Sequence, residues 1–474
     1  MSSSRGPQAS CGARRWGAAV LALLVCTLVS PLRAQTPAAA PSAEAEDDPA
    51  RALPEGAETE GDPEPEGSSP ASETRSEEAA PPPPPPKVRP QVAADANKAE
   101  EPNEERPGRG ARVYADAEHG LAIDSADGNY GIGFGFLGKA AFENRTTPDG
   151  ESDPAFRLLM ARPILRGHVF RRWIDFFVQF ELAGASARLV DAQLTVRPFD
   201  AVGIRVGQFI VPTSRSYMTP VPALQFPDFS AANDFFRAGR DIGAMFFGSV
   251  LNHRLEYYAG IFDGRGIDLS NKTDGKLLYA GRVGWAVFGG KAPKSIGMPP
   301  AIAYDETAAL KGPLPLGLHF GLSAFHDTFA RTQEIVDPDT RRTTQEVLPD
   351  SRRTSVAADA MFQIAGLYSA FEIYHDWRVE DGGSEQRGLG STAQIGQFVW
   401  PQRLELVARF SFITPNIALS RRSLRSYEIG TNGYIYGNNL KLQLRYALDD
   451  ADLQLRSFQP GITHLLTLQL QAML

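Results

Sequence analysis

Segments of about ten residues in which apolar and polar positions alternate recur from residue 111 to the end of the chain. The clearest are "NYGIGFGFLG", "WIDFFVQFEL", "RLELVARFSFI" and the final "THLLTLQLQAML". A period of two is typical of a β-strand whose two faces meet different environments, whereas a helix would repeat every 3.6 residues. The pattern therefore predicts an all-β fold over residues 111–474.

Two architectures fit this alternation. A soluble sandwich turns its apolar faces inward, and a transmembrane β-barrel turns them outward to lipid. The count of strands favours the barrel, because sixteen are predicted and a closed bacterial outer-membrane barrel needs an even number. Their predicted centres lie near residues 135, 162, 177, 192, 206, 245, 258, 282, 321, 359, 371, 395, 407, 431, 443 and 468.

The connections between these strands also favour a barrel. Those that follow odd-numbered strands are mostly long and polar, whereas those that follow even-numbered strands are mostly two to four residues, as expected of outer loops and periplasmic turns. Residues 289–315 are the exception, and they predict either a periplasmic insertion or a hairpin that the pattern does not reveal. We predict a 16-stranded antiparallel transmembrane β-barrel.

The residues before the barrel form two segments of different composition. Residues 1–34 combine early arginines with the apolar run "WGAAVLALLVCTLVS", which predicts a signal peptide and leaves a membrane anchor as the alternative. Residues 35–110 hold 18 acidic and 7 basic residues and a run of six prolines, which predicts a disordered acidic linker. Both cysteines, Cys11 and Cys26, lie in the leader, so no disulfide is expected in the barrel.

Six phrases resemble the phosphate-selective porin O/P family in order and spacing. They are "VGQFIVP", "RDIGAMFFGSV", "YYAGIFDGRG", "AADAMFQIAGLYSAFEIYHD", "GSTAQIGQFVWPQRLELVARFSFI" and "EIGTNGYIYGNNLKLQLRYAL". The resemblance covers nearly all of residues 120–474. It implies a sixteen-stranded outer-membrane porin, usually trimeric, whose anion-conducting pore is narrowed by an inward-folded third outer loop.

The third odd-numbered connection, residues 211–239, is the longest, and its proline and aromatic content is unusual for a solvated loop. Folded into the lumen, its aromatic side chains would pack on the barrel wall and form a constriction. An outer lid or a trimer contact is the alternative. The predicted constriction residues are Pro212, Arg215, Tyr217, Phe226, Phe229, Phe235 and Phe236.

Arginine outnumbers lysine 30 to 7 after residue 110, although this part of the chain is nearly neutral. Arginine offers five planar donors that suit phosphate, so we predict pore-lining anion contacts. The alternative is that these side chains form salt bridges along the wall with lumen carboxylates such as Glu256 and Glu405. The candidates are Arg205, Arg237, Arg240, Arg254, Arg282, Arg403, Arg409, Lys441 and Arg445.

The last strand predicts how the barrel closes and assembles. It must pair with the first strand so that no edge is left unpaired in lipid. Its apolar positions resemble the C-terminal signal that the barrel-assembly machinery recognises, except that Leu474 stands where an aromatic residue is usual. These lipid-facing positions are Leu466, Leu468, Leu470, Ala472 and Leu474, whereas Thr467, Gln469 and Gln471 are expected to face the lumen.

Other functions have weaker support in the sequence. The seven histidines are scattered, and His319 and His326 are expected on opposite faces of one strand, so we predict no catalytic site, no metal and no cofactor. The expected partners are outer-membrane lipid, the assembly machinery, small anions such as phosphate and two further copies of the chain, but not nucleic acid. The alternative function is an anchoring barrel whose periplasmic linker contacts the cell envelope.

Overall fold

The computed structural model describes residues 110–116, 120–184, 186–264, 266–267, 275–288, 304–312, 314–336, 343–379, 383–419, 422–452 and 458–474, and only the backbone between 329 and 349. The predicted signal peptide and, apart from Gly110, the predicted linker lie outside the described residues. In the described part of the chain, no helix is long and apolar enough to cross a membrane.

Within these described residues, eighteen antiparallel strands form one sheet, and the last sixteen of them close into a barrel. The bounds are β1 (Arg112–Asp116), β2 (Gly120–Asp124), β3 (Gly131–Thr146), β4 (Ser152–Val169), β5 (Arg171–Glu181), β6 (Arg188–Phe199), β7 (Val202–Ile210), β8 (Arg240–Val250), β9 (Leu255–Phe262), β10 (Leu278–Phe288), β11 (Gly317–Val336), β12 (Thr343–Ile364), β13 (Leu367–Val379), β14 (Gln386–Trp400), β15 (Leu404–Thr414), β16 (Leu424–Tyr436), β17 (Leu440–Ala451) and β18 (Gly461–Met473).

The predicted sixteen-stranded barrel is confirmed, and each predicted strand centre lies within one of β3–β18. Closure joins β18 to β3 in a register that runs from His464↔Thr146 to Met473↔Leu137. The backbones of Leu474 and Phe136 exchange two further hydrogen bonds, of 2.9 and 3.1 Å. The two strands therefore pair along the seam, so that neither presents an unpaired edge to lipid there.

Strands β1 and β2 were not predicted. Strand β2 pairs with the first residues of β3, from Leu121↔Phe134 to Asp124↔Gly131, and so continues the edge of β3 beyond the end of β18. Strand β1 then pairs with β2. At five residues each, these strands are too short to produce a clear alternation of apolar and polar residues.

The two faces of the barrel wall differ as the alternation predicts for a membrane barrel. Along β18, Leu466, Leu468 and Leu470 are exposed on the outer face, and Ala472 and Leu474 continue that row. Thr467, Gln469 and Gln471 are fully buried on the lumen side. Apolar side chains outside and polar ones inside are the reverse of a soluble barrel.

The connections differ between the two ends of the barrel. We call one the short-turn end, because strands there are joined by turns such as Ala365–Gly366, and the other the long-loop end. At the long-loop end β11 and β12 extend as a paired ladder up to Val336↔Thr343, so most of the loop predicted there is strand. Two short helices, α1 (Arg215–Met218) and α2 (Ala231–Phe236), lie in the long connection between β7 and β8.

The apolar outer face predicts sensitivity to charge. Leu468 lies near the middle of β18, between Leu444 and Phe142 on the neighbouring strands. In barrels refolded into phospholipid vesicles, Leu468→Arg should lower the free energy of unfolding by about 2–4 kcal/mol, because a cation at mid-membrane loses its hydration. Urea titration followed by tryptophan fluorescence measures the change. Leu468→Phe is the control, and an equal loss in both variants would contradict a lipid-facing position.

Candidate functional site

The connection between β7 and β8 lies inside the barrel, and we call residues 211–239 the lumen loop. Residues 211–219 and 223–227 are buried almost without interruption. Proline has no N–H for a strand ladder, so the four prolines of the loop prevent it from extending the wall as a hairpin. Instead the chain forms two short helices, which Ser214 and Ser230 cap by accepting hydrogen bonds from the N–H groups of Tyr217 and Asn233.

Basic side chains of the wall hold the loop by its backbone. Loop carbonyls that are removed from water need donors, and an ammonium or guanidinium group supplies several from one side chain. Four wall residues from β3, β12, β15 and β17 act in this way. The bonds are Lys139 to Pro227 (2.9 Å), Lys441 to Pro222 (2.9 Å) and Leu224 (2.7 Å), Arg409 to Asp228 (2.9 Å), and Arg353 to Phe236 (2.9 Å).

Glycines on β14 form notches for loop side chains. Gly390 lies against the ring of Phe236, and a Cβ there would meet the Cε2 atom at 2.1 Å. Phe236 also stacks on Tyr374, with ring centroids 5.4 Å apart and planes inclined by 6°. Gly396, on the same face of β14, receives the side chain of Gln225 in the same manner. Glycines at several positions of one strand face were the sequence signal for a close approach, and we did not use it.

Arg215 of the lumen loop is fully buried among polar groups. Its Nη1 donates to the hydroxyl of Tyr368 at 2.6 Å, and its other nitrogens lie 3.7 Å from Glu372 and 3.8 Å from Glu306. Glu372 also accepts a bond from the backbone N–H of Ser216 at 2.7 Å. This cluster fixes the start of the loop against β13. Arg215 was predicted as a constriction residue, whereas its three partners were not.

The predicted anion candidates on the wall are mostly paired with carboxylates. Such pairs neutralise both charges and shape the lumen without favouring one ion. Arg205 is also buried, with its guanidinium 5.1 Å from the ring centroid of Phe247, and it donates to Thr195 at 3.3 Å. The ion pairs are Arg282–Asp359 (2.5 Å), Arg409–Glu428 (2.7 Å), Arg445–Glu428 (3.4 Å) and Arg240–Asp191 (3.1 Å).

Two candidates lie outside the lumen wall, contrary to the prediction. Arg254 and Arg403 are exposed residues of turns at the short-turn end, directly before β9 and β15. The alternation was extended across the turns, but left-handed backbone at Asn252, His253 and Gln402 reverses the chain before each strand begins. Arg403 instead donates to the carbonyl of Ile435 at 3.2 Å.

The partly exposed edge of the lumen loop ends in a stacked arginine pair, Arg237 in the loop and Arg240 at the start of β8. The guanidinium of Arg237 lies over the ring of Tyr217, 4.1 Å from its centroid, and 5.1 Å from that of Phe229. Arg240 contacts the same tyrosine ring at 5.5 Å and donates to its hydroxyl at 2.9 Å. Arg237 also pairs with Asp234 at 2.8 Å and stays partly exposed. Stacking fixes both guanidinium planes, and the side chain of Arg237 is the more exposed of the two, at 25% against 10% for Arg240.

Part of the wall, on β4–β6, keeps some lumen-facing side chains partly exposed. In the described residues, loop contacts concentrate on β3 and β11–β18. On β4–β6 the lumen-facing Arg166, Phe177 and Arg197 remain partly exposed. These two arginines were not among the predicted candidates, although they share the strand parity of the lumen residues Gln179 and Asp175.

The remaining constriction residues all lie in the lumen. Pro212, Phe226, Phe235 and Phe236 are buried, and Phe229 is partly exposed. The guanidinium of Arg409 lies 4.2 Å from the ring centroid of Phe226, so the wall contacts the loop through both its backbone and its rings.

Solved structures with a similar fold are outer-membrane porins. An anion-selective porin from Comamonas acidovorans is 11% identical, with 73% of this chain and 100% of that chain covered and a TM-score of 0.51. Outer-membrane expressed OmpT of Vibrio cholerae is also 11% identical, with 73% and 98% covered and a TM-score of 0.50. Its trimer form, folded in vitro, is 10% identical, with 72% and 99% covered and a TM-score of 0.50.

At this identity the likeness concerns the fold. No family model matches the sequence, and no curated protein matches it. The resemblance to the phosphate-selective porin O/P family therefore remains a prediction.

The glycine notches predict a way to displace the loop. Gly390→Leu should push Phe236 off β14, because the added side chain fills the space of the phenyl ring. In detergent-solubilised barrels, trypsin should then cut after Arg215 and Arg237, of which Arg215 is fully buried in the native loop. Gel electrophoresis and mass spectrometry locate the cuts. Gly433→Leu, at a position on β16 with no close contact, is the control, and equal resistance of both variants would contradict this packing.

Proposed function

We propose that this protein is a passive diffusion channel of the bacterial outer membrane for small hydrophilic solutes, with a preference for small anions, phosphate among them. The observation that carries the proposal is the lumen loop, which lies buried inside the barrel, together with the partly exposed basic side chains at its end and on the lumen face of β4–β6. A loop folded into a polar lumen narrows a channel, and a catalytic centre or an adhesive surface would not need it.

The apolar outer face and the porin neighbours support a position in the outer membrane. The short-turn end would then face the periplasm, and the predicted signal peptide and acidic linker would lie on that side. Assembly by the barrel-assembly machinery through the last strand is part of the same proposal. We also propose a homotrimer, because a trimer form is described for OmpT of Vibrio cholerae.

The preference for anions rests on four side chains. Arg237 lies at the end of the lumen loop and Arg240 at the start of β8, and Arg166 and Arg197 lie on the lumen face of β4 and β6. All four side chains are partly exposed, although Arg237 pairs with Asp234 and Arg240 with Asp191, whereas Arg282 is fully buried in its pair with Asp359. Planar guanidinium groups bind the oxygens of phosphate through paired hydrogen bonds, which is why phosphate is among the proposed solutes. The resemblance to the phosphate-selective porin O/P family gives this choice further support.

Arg237→Gln should lower the permeability of anions relative to cations, since it removes a partly exposed positive charge at the end of the lumen loop. The measurement is the reversal potential of single channels in a potassium chloride gradient across a planar bilayer, repeated after phosphate is added. Wild-type channels should prefer chloride, and phosphate should reduce the chloride current. Arg387→Gln is the control, because Arg387 is exposed and paired with Glu385 at 2.8 Å.

The outcomes separate the parts of the proposal. A wild-type reversal potential near zero would reject the anion preference and leave the channel. An anion preference that phosphate does not block would reject phosphate alone. Folded barrels are recognised by a change in their gel migration after heating. If such folded barrels show no discrete conductance, the channel itself is rejected and the anchoring function is favoured.

A further inference from the structure

A second segment enters the lumen from the short-turn end, and we call Tyr304–Gly312 the strap. It belongs to the connection between β10 and β11, residues 289–316, of which 289–303 and 313 lie outside the described residues. In the strap Tyr304, Glu306, Thr307 and Ala308 are buried. Its described residues contain a short 3₁₀ turn (Ala308–Lys311) and do not form a hairpin, which was one of the two alternatives predicted for residues 289–315.

The strap is anchored on two sides of the barrel. At its start, the hydroxyl of Tyr304 accepts a bond from Arg282 Nε at 2.9 Å and donates to Glu256, on β10 and β9. Near its end, Thr307 Oγ1 accepts from Asn438 at 2.6 Å, in the turn between β16 and β17. These strands are the seventh and eighth and the fourteenth and fifteenth of the sixteen-stranded barrel, so the strap crosses most of the lumen.

A third anchor joins the strap to the lumen loop. Glu306 Oε2 accepts from the backbone N–H of Gln225 at 2.9 Å and from Gln394 Nε2 at 2.8 Å. Gln225 is itself a fully buried node: its Nε2 donates to Glu405 at 2.6 Å, and its Oε1 accepts from Gln394 at 2.9 Å. One carboxylate oxygen therefore connects the strap, the loop and β14.

The environment of Glu306 makes this connection necessary for the loop. The carboxylate is 3% exposed, and the nearest cation in an ion pair with it, Arg215, lies 3.8 Å away and is shared with Glu372. The bonds from Gln225 and Gln394 thus provide its closest contacts. Removal of the carboxylate would leave the N–H of Gln225 buried without its acceptor, and a shift of the loop toward water would relieve this loss.

We infer that the strap is a second constriction element and that Glu306 is the positioning residue that sets the place of the lumen loop. The inference rests on the proposed channel, because the bore is the property that Glu306 would control. Basic side chains of the wall and the strap at the short-turn end would both hold the lumen loop. Loss of the contacts from either one would then widen the passage. Gln at position 306 would keep the acceptor oxygen, whereas Ala would remove it.

The position of the strap can be tested without any measurement of conductance. The described residues contain no cysteine, because both native cysteines precede residue 35. Thr307→Cys with Asn438→Cys should therefore give one disulfide under mild oxidation, since the native side chains are in hydrogen-bond contact. Mass spectrometry of peptides with and without reductant detects the bond. Thr307→Cys with Asn416→Cys, in a connection at the long-loop end, is the matched control and should remain reduced.

The role of Glu306 is tested by the size of neutral polymers that enter the open channel. Glu306→Ala should raise both the polymer exclusion limit and the single-channel conductance, and Glu306→Gln should keep both near their wild-type values. Trypsin cleavage after Arg215 should increase in parallel in the alanine variant only. If Glu306 merely stabilised the fold, both variants would lose thermal stability, and they would not differ in exclusion limit, conductance or trypsin cleavage.

Each outcome decides one part of the inference. Failure of the 307–438 disulfide to form in folded barrels would reject the seated strap. A disulfide that forms while Glu306→Ala keeps the native exclusion limit would reject the positioning role. If Glu306→Ala does not fold, a Glu306→Gln channel with an enlarged exclusion limit would still contradict it. If no variant conducts at all, the proposed channel fails, and the disulfide alone still decides where the strap lies.

Discussion

The closed backbone ladder between β18 and β3 is the constraint on which the rest of the structure depends. Once the ladder closes, each residue of the wall is assigned to one of two faces, and neither face can change without breaking hydrogen bonds that have no replacement in lipid. Gln469 must then face the lumen because Leu468 and Leu470 face outward. The wall therefore brings a fixed set of polar groups into the lumen, and inserted segments have to satisfy them.

This requirement gives the basic residues of the lumen a structural role, in place of the anion contacts that their abundance predicted. Arg409 donates to both Glu428 and the carbonyl of Asp228, and Lys441 donates to two carbonyls of the lumen loop. Each links the wall to a loop that lacks a regular hydrogen-bond ladder of its own. A guanidinium group can satisfy a carboxylate and a carbonyl together because its donors point in several fixed directions. Much of the arginine content is thus structural, and the alternative of wall salt bridges describes Arg282 and Arg409.

The strand pattern was predictable because it depends on local alternation, as β18 illustrates. The errors arose where local information ended. Parity was carried through the turns before Arg254 and Arg403, where the left-handed backbone that reverses the chain leaves no periodic trace. The strap was missed for a related reason: Glu306 meets Gln225, 81 residues away, through a backbone N–H that no residue pattern encodes. Contacts of this kind appear only after the barrel has closed and brought both segments into one lumen.

A lumen filled from both ends changes what can determine selectivity. In a wide pore the net charge of the whole wall would set the field, but here most lumen charges are buried and paired, so their fields cancel at short range. In the proposed channel, Arg237, stacked on Tyr217 and partly exposed at the end of the lumen loop, would then act on a solute with little competition from the paired charges. A nearly neutral barrel is therefore compatible with strong discrimination between ions, provided that the loop and the strap hold this edge in place.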